Sequence, residues 1–119
     1  MYETIKEPVI QVYGDLKWFN FNQNNSGGYY IENDEVGFDV YIQAVDAKTA
    51  IRKAEHVFSG HSEYCDCCGG RWSYYVDDSD GFPEPQKYGE HLEESKSWFG
   101  ETAILHYANG KVERYTYPK

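Results

Sequence analysis

The sequence predicts an α+β fold, a small antiparallel sheet with one main helix packed on one face and a C-terminal β-hairpin. Two stretches carry that expectation. In 37–44, Phe38, Val40, Ile42 and Ala44 alternate with Asp39, Tyr41 and Gln43, so the apolar side chains share one strand face. Asp46 then reads as an N-cap, its carboxylate open to the free N–H groups of the next turn. Ala47, Ala50, Ile51, Ala54, Val57 and Phe58 follow on one helical stripe, and Gly60 is expected to end the helix in left-handed conformation. The second stretch is C-terminal. Two strand-like runs, 102–108 and 111–117, flank Asn109-Gly110, the preferred pair for a two-residue type I′ turn. That register sets His106 opposite Glu113 and Tyr107 opposite Val112, with Leu105, Tyr107 and Val112 on the core face.

The remaining elements follow in chain order. Residues 1–8 read as a polar lead-in closed by Pro8. Residues 9–13 and 17–21 have strand composition, and 28–31 reads as the return strand of a long-looped hairpin. After the helix comes a loop holding Cys65, Cys67 and Cys68, then a short strand at 72–76. From Asp77 to Glu94 the chain is acidic and broken by proline and glycine, with almost no apolar content and a helical turn near 91–95. A length of 119 residues fits a single α+β domain, 1–119.

Charge narrows the function classes. Twenty acidic residues against 11 Lys and Arg give a net charge of -9, which disfavours sequence-independent binding of duplex nucleic acid and favours a basic protein surface as partner. No stretch is long and apolar enough for a membrane helix, and the first residues lack a secretory pattern, so a cytoplasmic location without membrane association is expected. Tyr and Trp are abundant, as suits strands and interfaces. No nucleophile elbow, phosphate-binding loop or zinc-protease motif is present, so the expectation is a protein that is not an enzyme.

One segment carries a resemblance. Gln43-Ala44, Cys65-Asp-Cys-Cys-Gly-Gly-Arg-Trp72, Tyr88-Gly89-Glu90 and the run from Ala103 to Gly110 together resemble a group of small tailed-bacteriophage proteins without an assigned activity. The resemblance spans roughly residues 37–114 and implies a phage origin.

Three sets of residues are candidates for function. Cys65 and Cys68 form a Cys-x-x-Cys-Gly knuckle that can present two thiolates to zinc, with His61 as a further ligand; the alternative is reduced cysteines packed as small apolar groups. Asp77, Asp78, Asp80 and Glu84 with Phe82 and Tyr88 offer charge around aromatic anchors for a basic partner. Lys48, Arg52, Lys53, Arg71 and Trp72 are the candidates for a nucleotide-like ligand, with cations for phosphate and an aromatic for stacking. His106 with Glu113 reads as an ordinary cross-strand pair. The leading expectation is a non-enzymatic phage accessory protein that binds a host protein, in anti-defence or host takeover. The alternatives are a module that sequesters a small nucleotide-like ligand and a zinc-knuckle nucleic-acid binder.

Overall fold

A computed structural model describes residues 2–12, 14–24, 30–61, 64–65, 69–87, 89–94 and 101–118, with backbone only at 64–65 and 69–70. In chain order the elements are β1 (Tyr2–Lys6), β2 (Lys17–Asn22), β3 (Asp39–Ala44), α1 (Ala47–Phe58), β4 (Tyr64–Cys65), β5 (Gly69–Gly70), β6 (Gln86–Lys87), β7 (Glu90–His91), β8 (Thr102–His106) and β9 (Val112–Thr116). Short 3₁₀ turns occupy Asp78–Asp80 and Leu92–Glu94. The main sheet runs β1-β9-β8-β3-β2, and β4-β5 and β6-β7 are two-residue ladders. The architecture is α+β.

The sheet is not wholly antiparallel: β3 and β8 lie parallel at its centre. Parallel neighbours need a long crossover, and residues 45–101 supply it, with α1 packed across one face. Gly37 lets the start of β3 approach β8, because a Cβ there would stand 2.7 Å from the Thr102 carbonyl oxygen.

The helix forms where its local signals place it. Asp46 Oδ1 accepts from Thr49 N at 2.8 Å, and Ala47, Ala50, Ala54, Val57 and Phe58 are buried. Small alanines let α1 settle close to Phe19, Phe21, Val40 and Ile42. Phe58 stacks on Trp72 with centroids 3.9 Å apart. Gly60 does not take the left-handed role: Ser59 is the C-cap in right-handed conformation, and among the described residues the positive-φ glycines are Gly14, Gly89 and Gly110.

The sheet's other face is covered as well. Trp18, Tyr41, Leu92, Leu105, Tyr115 and Tyr117 form a second core there. The alternation in β3 therefore marks a strand buried on both faces, and Tyr41 and Asp39 are as hidden as Val40. Leu92 is fully buried, so the acidic stretch does bury apolar surface.

Several strand expectations change. Residues 9–12 carry no strand; Val9 and Ile10 are exposed, and their N–H groups share the Asn109 carbonyl. The N-terminal strand is instead β1, a polar edge strand held by its pairing with β9. The partner of β2 is β3; Gly28 and Tyr29 lie outside the described residues, and Tyr30 and Ile31 are not strand. In 72–76 only Trp72 makes a bridge, to Gln23.

The C-terminal hairpin forms with its register shifted by one. His106 pairs with Val112 and Leu105 with Glu113. The Gly110 N–H bonds the Tyr107 carbonyl, and the Tyr107 N–H bonds the Lys111 carbonyl. Gly110 has φ 91°, so Ala108-Asn109-Gly110 is a three-residue loop with glycine in the left-handed position. The shift moves Val112 to the helix-side face beside His106 and separates His106 from Glu113. His106 bonds the Glu35 carbonyl oxygen at 2.7 Å instead.

Candidate functional site

The acidic stretch is fixed by its own hydrogen bonds. Asp77 Oδ1 accepts from Ser79 N at 2.9 Å, and Asp80 Oδ2 accepts from Asp77 N at 2.8 Å. Asp78 reaches further, its Oδ1 accepting from Ala47 N at 2.8 Å. Two carboxylates, Asp46 and Asp78, thus cap the N-terminus of α1, where the helix dipole favours negative charge. Bonds from Thr49 hold the Asp46 carboxyl below its ordinary range, and bonds from Ser79 do the same for Asp77.

This turn stands between two depressions. The first lies over the N-terminal half of α1, with Ala47, Ile51 and Val76 as apolar lining. Its rim carries Asp46, Glu55, Asp77 and Asp78 against Lys48 and Arg52, a surplus of negative charge. The second, about 270 Å3, lies along the outer edge of β2. Asn20, Asn22, Ser73, Gln86 and Lys87 line it, and Tyr75, 96% exposed, stands at its side. Behind it Asp39, 2% exposed, bonds Lys87 Nζ at 3.0 Å and the Tyr117 hydroxyl at 2.7 Å. Burial, with the Asp39 charge added, pushes the Tyr117 phenol well above its usual range.

The residues expected at sites from sequence are dispersed. Asp77 and Asp78 border the first depression, Asp80 and Phe82 the second, and Glu84 is exposed beside Pro83 and Pro85; Tyr88 lies outside the described residues. Lys48 and Arg52 share the first depression with four carboxylates, a poor setting for phosphate. Lys53 is half-buried and donates to the Tyr107 carbonyl at 3.0 Å; desolvation lowers its pKa. Arg71 is buried, donating to Gln23 Oε1 at 3.2 Å and the Asn24 carbonyl at 3.1 Å. Trp72 is buried in the helix-side core. These five do not converge on one ligand.

At the cysteine segment, β4 and β5 close a ladder through Cys65 and Gly69. The Cys65 side chain and all of Cys67 and Cys68 lie outside the described residues. His61 is engaged at both ring nitrogens, accepting from Asn33 Nδ2 at 3.4 Å and donating to Glu35 Oε1 at 3.2 Å. Among the described residues no group of three or more His, Cys, Asp and Glu is arranged to hold a metal.

Sequence reading missed the second depression. Its signal was present in β2, where Asn20 and Asn22 alternate with buried Phe19 and Phe21 and so share the opposite face. What no local pattern gives is the approach of Ser73, Tyr75, Gln86 and Lys87 from the far side of the chain.

Fold and surface together define a small α+β domain with an acidic helix-capping turn between two open depressions. Residues 16–119 match a domain of unknown function, DUF7296, and the chain belongs to that family. No curated protein and no solved structure matches it. Among the described residues no helix is long and apolar enough to cross a membrane.

Proposed function

We propose that this protein is a non-enzymatic accessory protein that binds a basic surface of another protein, in the cytoplasm. The supporting observation is the depression over α1. Its apolar lining of Ala47, Ile51 and Val76 suits the methylene stem of a lysine or arginine, and the carboxylates of Asp46, Glu55, Asp77 and Asp78 suit its charged head. Asp46, Asp77 and Asp78 are already fixed by main-chain donors, so little ordering is needed on binding. A net charge of -9 adds long-range attraction for the same partner. The resemblance to small phage proteins makes the partner a protein of the infected host, bound so as to inhibit or redirect it.

Glu55 is the residue to change, because it is exposed and caps nothing. Host proteins retained by the wild-type chain and by Glu55→Lys are compared by quantitative mass spectrometry at low and at physiological salt. A basic protein is expected to be enriched on the wild type and depleted on Glu55→Lys, most clearly at low salt. Equal enrichment on both would place docking away from α1.

A further inference from the structure

The second depression has a chemistry of its own, set by an interruption in the edge of β2. Trp18 exchanges both main-chain hydrogen bonds with Phe82, at 2.7 and 3.1 Å, so its N–H and C=O face away from β3. Strand geometry repeats every two residues, so Asn20 and Asn22 face the same way. Asn24, next in step, gives its N–H to the Arg71 carbonyl at 2.8 Å. Between these two closures the chain from 73 to 81 leaves the strand edge. By that alternation the Asn20 N–H and C=O and the Asn22 N–H point away from the β3 ladder, and among the described residues no main-chain group outside that ladder bonds them. The gap they face is the depression lined by Asn20, Asn22, Ser73, Gln86 and Lys87.

Its groups are mixed in kind. The open strand edge supplies a donor and an acceptor in one plane. The carboxamides of Asn22 and Gln86 each offer both, and the Ser73 hydroxyl does too. A guanidinium carries donors only and would leave the strand N–H groups unmatched. A phosphate carries acceptors only and would face Asp80 on the same wall. A planar, neutral ring with adjacent donor and acceptor atoms satisfies both sides of the edge. Tyr75, 96% exposed at the side of the gap, adds a flat aromatic surface for such a ring. Lys87 is paired with Asp39 at 3.0 Å, so its charge is already compensated inside the protein. The volume, about 270 Å3, is just below the roughly 300–1,000 Å3 usual for small-molecule sites, which suits one ring system rather than an extended cofactor.

We propose that this depression binds a nucleobase, its edge read by the open main chain of Asn20 and Asn22 and its face stacked on Tyr75. The base belongs to a free nucleoside or to a single strand. A net charge of -9 opposes the strand and favours the nucleoside.

The test is an NMR titration of the isotopically labelled full chain with adenosine, cytidine, guanosine and uridine. Parallel arms use short homopolymeric single strands and a monosaccharide. The expected result is a saturable shift of the Asn20 and Asn22 amide signals with at least one nucleoside, or with a strand carrying its base. The relative affinity of those two arms identifies the source. Tyr75→Ala, which removes only exposed surface and so leaves the fold intact, should weaken that binding roughly tenfold or more, as loss of an aromatic stacking surface does. Asn22→Ala should weaken it as well. No saturable shift with any nucleoside or strand would overturn the proposal. So would binding of the monosaccharide alone, or nucleoside binding indifferent to Tyr75→Ala.

Discussion

His106 is buried on the helix side of β8, and its Nε2 lies 2.7 Å from the Glu35 carbonyl. A carbonyl only accepts, so the neutral ring donates through Nε2. Burial lowers the His106 pKa from 6.5 to about 4, and the Lys53 charge acts the same way. The consequence for stability has a definite sign. Between about 6.5 and about 4 the unfolded chain takes up a proton that the folded chain refuses. Stability is therefore full above that window and falls as pH drops through it, by about 3 kcal/mol. The carboxylates titrate nearby, so the measurement is the difference between wild type and His106→Gln in urea unfolding at pH 7 and pH 4. The wild type should lose about 3 kcal/mol more than the variant; equal losses would mean that His106 is charged in the folded protein. Asp39 is the other consequential buried group. Asp39→Asn removes the carboxylate that bonds both Lys87 and Tyr117, and should cost about 3 kcal/mol in the same experiment. A cost under about 1 kcal/mol would show that neither bond matters to the fold.

At the scale of elements, α1 is held at its N-terminus from two places, Asp46 beside it and Asp78 far along the chain. Asp78→Ala should cost about 1 kcal/mol of stability, measured by chemical denaturation, and Asp46→Ala should lower stability in the same experiment. If Asp78→Ala is silent, the turn at Asp78–Asp80 is not docked on the helix. The contrast between the two caps also explains what the sequence reveals. Asp46 and the alanine stripe act within one or two helical turns, so pattern alone locates α1. Asp78 acts across the fold, and from sequence it reads only as surface charge. The same division runs through the strands. β3 is legible by its alternation, but its second buried face depends on Leu92, Tyr115 and Tyr117 arriving from elsewhere. β1 has no apolar alternation and exists through pairing with β9. Asn109-Gly110 marks the hairpin turn, yet that pair fits both two- and three-residue loops, so the register is not legible. Likewise Asn20 and Asn22 are visible as alternating amides, whereas the cleft they line is assembled by tertiary approach.

At the scale of the whole molecule, negative charge is the dominant property. Part of it is consumed internally: Asp46 and Asp78 cap α1, Asp77 and Asp80 shape the adjoining turn, and Asp39 ties β3 to Lys87 and Tyr117. Neutralising Asp77, Asp78 and Asp80 together would therefore disturb structure as well as charge. Glu55 and Glu84 are exposed and cap no helix or turn, so they report on docking without that confusion. The most direct test of the proposed docking is the association rate of the full chain with a basic protein recovered in the capture experiment, measured by stopped flow across ionic strength. Steering by an acidic surface is screened over about 8–10 Å at physiological salt. The wild-type rate should fall steeply as salt rises, Glu55→Lys should associate roughly tenfold more slowly at low salt, and the two should converge at high salt. An association rate indifferent to both salt and Glu55→Lys would contradict docking through the acidic depression over α1.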